Sequence, residues 1–148
     1  MKLLMETNTR LLAVALFLLR CIVGLIFFVA GAGKALAWFG GMGMKATVEA
    51  FKTGMDISAP WAYLCSYTEF IGGALLIAGL LTRPAALALT INMLVATILV
   101  GPKNFFMGGG AYPCSLMVCS LVIFLAGPMM YSLDALLWSE KNKQFVQA

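Results

Sequence analysis

The chain of 148 residues is 62% hydrophobic and only 11% charged, with a mean hydropathy of +0.97, against roughly 25% charged residues in soluble domains. Too few polar side chains are present to coat a water-soluble globule, so lipid is the expected solvent for most of the surface. The formal charge of +4 does not point to nucleic acid: Lys2, Arg10, Lys141 and Lys143 flank the apolar part as headgroup anchors do, and no basic stripe interleaves with aromatics.

Histidine is absent, and Cys21, Cys65, Cys114 and Cys119 contain no Cys-x-x-Cys pair. The commonest metal ligand and proton shuttle is therefore missing, and no metal site is expected. Cys114 and Cys119 lie roughly 140° apart around a helix and are not expected to pair.

Along the chain, an apolar run over about residues 11–33, interrupted by Arg20, is long enough to cross a hydrocarbon core of ~30 Å. It exceeds a signal-peptide core and lacks a clear cleavage site, so it is expected to stay attached. Between Lys34 and Pro60, Met44, Val48 and Phe51 recur at helical spacing opposite Lys45, Glu49 and Lys52, which predicts an interfacial amphipathic helix with Trp38 at headgroup depth. Ser58-Ala59-Pro60 supplies a helix start.

The second span is predicted over about 61–81, with Glu69 near its middle and Thr82-Arg83-Pro84 as a tight turn. The third runs over about 84–101, with Thr90, Asn92 and Thr97 as its polar groups. A glycine-rich loop around Gly108-Gly109-Gly110 follows. The fourth span occupies about 112–130, and Ser132 is placed to cap a brief terminal helix containing Leu136, Leu137 and Trp138. The expected fold is all-α: one membrane domain over 1–148, four antiparallel transmembrane helices and an interfacial helix between the first two. Lys2, Arg10, Arg83, Lys141 and Lys143 fall on the terminal side against Lys34, Lys45, Lys52 and Lys103 on the other, a five-to-four bias toward cytoplasmic termini.

Charges within apolar helices cost ~2.5–3.5 kcal/mol each on insertion scales, so Arg20 and Glu69 need partners. The sequence reading pairs them with each other, as a buried latch or as a ligand site in which Glu69 exchanges a proton or Arg20 holds an anionic or quinone oxygen. Lys34 is read as a snorkelling anchor that could also close one end of a polar cavity, and Asn92 as an interhelical hydrogen-bond partner. Gly24 with Gly31, and Gly72 with Gly79, are read as packing positions, and such faces are compatible with a homodimer.

Several stretches in this order resemble the DoxX family of small bacterial membrane proteins over nearly the whole chain. They are Arg20-x-x-x-Gly24, Gly31-x-Gly33-Lys34, Glu69-x-x-Gly72-Gly73-x-Leu75, Gly79-Leu80-x-Thr82-Arg83-x-Ala85-Ala86, Gly108-Gly109-Gly110-x-Tyr112-Pro113 and Gly127-Pro128-x-x-Tyr131-Ser132-Leu133-Asp134. The resemblance implies a four-helix protein of the bacterial inner membrane, in a family linked to quinone-dependent respiratory and sulfur redox chemistry. This chain departs from the pattern at Ala111, where relatives often carry an acidic residue, and at Val100-Gly101-Pro102, where they often carry a histidine. Three readings stand open. One is a redox-associated subunit that holds a quinone or other amphipathic ligand near Arg20 and Glu69, in a cavity between spans one and two lined by Arg20, while a respiratory or redox partner transfers electrons. The second is a non-catalytic scaffold or assembly factor with a sealed interior. The third is a small-molecule transporter, for which Thr90, Asn92 and Thr97 are a thin polar track.

Overall fold

The computed structural model describes residues 9–100, 105–106, 109–128 and 132–135. Its helices are α1 (Thr9–Leu36), α2 (Gly43–Met55), α3 (Ala59–Ala78), α4 (Thr82–Val100) and α5 (Ala111–Ala126), with a 3-10 turn at Trp38–Gly40. α1, α3 and α4 are long and apolar enough to cross a bilayer, and α5 is a shorter apolar helix. Together they form a helical membrane bundle. Outward-facing side chains such as Ile22, Ile98 and Leu125 are more than half exposed, as lipid contact requires.

α1 and α3 run antiparallel with their backbones in contact. A Cβ at Gly31 would fall on the backbone of Phe70, one at Gly73 on Phe28 and the Gly24 carbonyl, and one at Gly24 on Ile77 and Gly73. These close approaches fix the register: Gly31 sits beside Phe70, Phe28 beside Gly73, and Gly24 beside Ile77. The seam is closed by Phe28 and Phe70, stacked at 5.1 Å. Gly72 instead faces α4, against the side chain of Leu89. The glycine faces read as open to a second copy are therefore occupied within the chain. Val23, Phe27, Leu76, Leu89, Leu116 and Ile123 form the core where the four apolar helices meet.

Element boundaries differ from the expected ones where local chemistry overrides hydropathy. α3 stops at Ala78 because Gly79 takes a left-handed conformation (φ 67°), with Gly79 N–H donating to Leu76 O and Leu80 N–H to Leu75 O. Gly79 is thus a helix cap, and its lack of a side chain also leaves room for the Arg20 guanidinium packed against it. α4 begins at Thr82, two residues before Pro84, because the Asp134 carboxylate accepts hydrogen bonds from Leu81 N, Thr82 N and Thr82 Oγ1, each at 2.8 Å. α5 ends at Ala126, before Gly127 (φ 72°), against which Arg83 packs.

The amphipathic helix α2 is present where predicted, with Met44, Val48 and Phe51 half-buried and Lys45, Glu49 and Lys52 exposed. It is pinned to the end of α1: buried Thr47 donates from Oγ1 toward Lys34 O at 3.3 Å and Gly43 O at 2.9 Å. Ser58 occupies the N-cap of α3 without a side-chain capping bond, and Pro60 lies in the first turn. Ser132 caps as expected, its Oγ accepting from Ala135 N at 3.1 Å. Lys103, Gly108 and the region from Leu136 to Trp138 lie outside the described residues.

Candidate functional site

Glu69 lies at the middle of α3 and is 2% exposed. An ionised carboxylate at this depth needs a cation, and the α1–α3 register supplies Lys34. Its Nζ lies 2.8 Å from Oε1 and 2.6 Å from Oε2. Asn92, at the corresponding depth of α4, donates from Nδ2 to Oε1 at 3.3 Å, and the Cys65 thiol, one turn earlier on α3, lies 3.7 Å from the same oxygen. Side chains from α1, α3 and α4 thus converge on one carboxylate. Glu69, Lys34 and Asn92, all singled out in the sequence, meet here.

Arg20 does not join them. It is fourteen residues before Lys34 on α1, about 21 Å along the axis. The pairing of Arg20 with Glu69 expected from the sequence is therefore replaced by Lys34 with Glu69. The middle of α1 does not face the middle of α3: with Gly31 beside Phe70, the carboxylate meets the last turns of α1, and Arg20 falls at the level of the α3–α4 turn. There the buried guanidinium packs over Gly79 and lies 5.4 Å from the centre of the Phe17 ring. The cavity it borders with Ile123 and Gly127 is about 10 Å³, room for one water at most.

Lys34 borders a much larger space. A cleft of about 960 Å³ is walled by Ile26 and Phe27 of α1, Leu64 and Thr68 of α3, Ile91 and Ala96 of α4 and Leu116 of α5, with Phe51 and Met55 of α2 at one end. Glu69, Lys34, Asn92 and Cys65 all contribute to its lining. The Lys34 side chain is 31% exposed, whereas Glu69 is almost wholly covered. The ammonium therefore neutralises the carboxylate while keeping a side open to the cleft. Asn92 adds a second amide hydrogen and its carbonyl oxygen, so the site can both donate to and accept from a bound molecule.

Thr90 and Thr97 do not extend this polar group: each hydroxyl donates to the carbonyl four residues earlier, Ala86 and Met93, at 2.7 Å. Sequence reasoning finds no role for Cys65, although its spacing of four from Glu69 places both on one helix face. Nor does it find one for Asp134, whose reach to Thr82 no local pattern reveals. Burial pushes the Asp134 carboxyl up, but hydrogen bonds from Thr82 and Leu81 and the charge of Arg20 outweigh this and hold it below the usual aspartate value. Among the described residues no cluster of ligands suited to a metal occurs, and the four cysteines are free thiols.

The chain is similar to CatD of Bacillus subtilis (strain 168), a protein provisionally named an oxidoreductase, with 32% identity over 131 residues, covering 88% of this chain and 92% of that one. No solved structure matches this chain. The DoxX family pattern matches residues 15–102, the stretch that carries Arg20, Lys34, Glu69 and Asn92, and the chain belongs to the DoxX family.

Proposed function

We propose that this protein is a quinone-linked membrane subunit whose cleft holds the head of a quinone against Lys34 and Asn92, while a redox partner exchanges the electrons. The observation that carries the reading is the cleft of about 960 Å³, with walls that are mainly apolar and a polar floor at Glu69, Lys34 and Asn92. An amphipathic ligand with one oxygenated end fits that distribution, and small-ligand sites share it. The relative named as an oxidoreductase supports a redox role.

The residues suit a quinone head. The Lys34 ammonium and the Asn92 amide can donate to its oxygens, and Asn92 Oδ1 can accept from a hydroxyl in the reduced form. Bound there, the quinone would supply two-electron, two-proton carrier chemistry; the protein's part is to orient the head, exclude water and hold the Lys34 charge against Glu69. A scaffold with a closed latch calls for a sealed interior, and the open cleft favours the ligand-holding reading over it. The same reading places the chain in the bacterial inner membrane, with termini in the cytoplasm on the five-to-four bias of cations.

The test is purification in mild detergent followed by extraction of bound quinone. Wild type is expected to retain it near stoichiometrically; Asn92→Leu and the double variant Lys34→Met/Glu69→Leu, which removes both charges together, are expected to lose it. Equal retention by all three, or none by the wild type, would overturn the proposal.

A further inference from the structure

α3 and α4 touch where Gly72 meets Leu89 and again where Asn92 reaches Glu69. Beyond that level, toward Ala59 and Val100, the cleft lies between them over about ten residues, or roughly 15 Å. Its lips are apolar and outward: Trp61 and Leu64 on α3 are 64% and 57% exposed, and Ile91 and Leu99 on α4 are 53% and 43% exposed. On a membrane helix such side chains face acyl chains. One turn to either side of Asn92, α4 carries only Ala88 and Ala96, both lining the cleft, which leaves space beside the polar floor.

The floor is also neutral. The Glu69 carboxylate is matched there by the Lys34 ammonium, and the other acidic residue of the lining, Asp56, stands exposed at the far end beside α2. A ligand with a charged head would therefore bring an uncompensated charge to mid-helix depth. A neutral hydrogen-bonding head would not.

Resting on the quinone reading above, we infer that the ligand enters sideways from the bilayer through the gap between α3 and α4, and that the cleft selects a neutral-headed molecule carrying a long apolar chain. The chain lies along Ala96 and Leu64 and leaves between the lips, so it contributes to binding and does not merely concentrate the ligand in lipid. A chainless head of the same kind makes only the polar contacts at Lys34 and Asn92.

Cys65 is a built-in reporter, since its thiol lines the cleft beside the floor. In a full chain with Cys21→Ala, Cys114→Ala and Cys119→Ala, reconstituted in nanodiscs of phosphatidylcholine and phosphatidylglycerol, the rate of Cys65 labelling by N-ethylmaleimide is followed by mass spectrometry. The probes are decylubiquinone, duroquinone and hexadecanesulfonate, whose head stays anionic in lipid, at equal mole fraction in the bilayer; both quinones are fully ring-substituted and cannot add the thiol at an open ring carbon. Decylubiquinone is expected to slow labelling about tenfold, duroquinone less than about twofold, and hexadecanesulfonate not at all; because the chain starts from lipid, the difference reflects the packing contacts it gains along Ala96 and Leu64 and not its removal from water. Ala96→Phe, which fills the chain's path without touching the floor, is expected to abolish the protection by decylubiquinone, and Leu87→Phe, on the outer side of α4, to retain it.

Equal protection by the two quinones, or full protection in Ala96→Phe with wild-type melting, would overturn the chain and its route while leaving the quinone head in place. Protection by hexadecanesulfonate equal to that by decylubiquinone would overturn the neutral-head rule. No protection by either quinone would remove the quinone reading itself, and this inference with it.

Discussion

Both oxygens of the Glu69 carboxylate are held by one ammonium, that of Lys34, at 2.8 and 2.6 Å, although the two residues lie on different helices and 35 positions apart. The pair is asymmetric, with Glu69 sealed and Lys34 open to the cleft. Removing either partner therefore has unequal consequences.

Lys34→Met leaves a carboxylate that is only 2% exposed without its cation, and is expected to cost about 3 kcal/mol. The double variant Lys34→Met/Glu69→Leu removes both charges and is expected to recover most of that loss, because a buried ion pair replaced by apolar groups of similar volume is often neutral. Thermal unfolding in one detergent checks the pair. A double variant no more stable than Lys34→Met alone would show that the ion pair is not what stabilises this junction.

The α1–α3 seam gives a sharper contrast. At Gly31 and Gly73 a methyl group would occupy backbone of the facing helix, so Gly31→Ala or Gly73→Ala must push α1 and α3 apart, at an expected cost of about 1–3 kcal/mol. At Gly54, in α2, a methyl group would meet nothing within 4 Å, and the backbone there is helical; Gly54→Ala is expected to stabilise by about 0.5–1 kcal/mol. Melting temperatures of the seam variants should fall below the wild type and that of Gly54→Ala above it.

The same seam explains what could be read in advance. Hydropathy placed the four apolar helices, and the 3.6-residue period placed α2, because both depend on short-range pattern. Glu69, Lys34 and Asn92 stood out individually, since a polar group within an apolar run is conspicuous. Their grouping depended on how far α1 slides along α3, and that offset is set by backbone contact at Gly31 and Gly73. Matching helix middles put Arg20 opposite Glu69; matching the close-packed glycines puts Lys34 there. The ligand-holding reading called for a cavity between the first two spans, lined by Arg20; that seam is closed by backbone contact at Gly31 and Gly73, and the large cleft instead lies among α1, α3, α4 and α5, lined by Lys34 and not by Arg20.

The four cysteines give a simple chemical check. All are free and half-buried, so the denatured chain is expected to titrate as fully reduced, with identical mobility on reducing and non-reducing gels. A mobility shift between the two would indicate a disulfide that this fold does not contain.

Asp134 ties the segment after α5 to the start of α4, and its pH dependence follows from its environment. Hydrogen bonds from Thr82 and Leu81, with the Arg20 charge, outweigh the effect of burial and lower its folded-state pKa. A group whose folded value is depressed stabilises the fold above its unfolded value, near about 4, and that contribution is lost as pH falls through the folded value. Wild type is therefore expected to melt at progressively lower temperature below about pH 4, and Asp134→Asn to show a shallower decline over the same window. At neutral pH, Asp134→Ala should cost about 1–2 kcal/mol, the usual loss for a helix start stripped of its capping side chain. Thr82→Val keeps the backbone donors and removes the hydroxyl contact, so a smaller loss is expected, about 1 kcal/mol. If Asp134→Asn follows the wild-type acid profile throughout, the carboxylate is not the group whose titration loosens this end of the bundle.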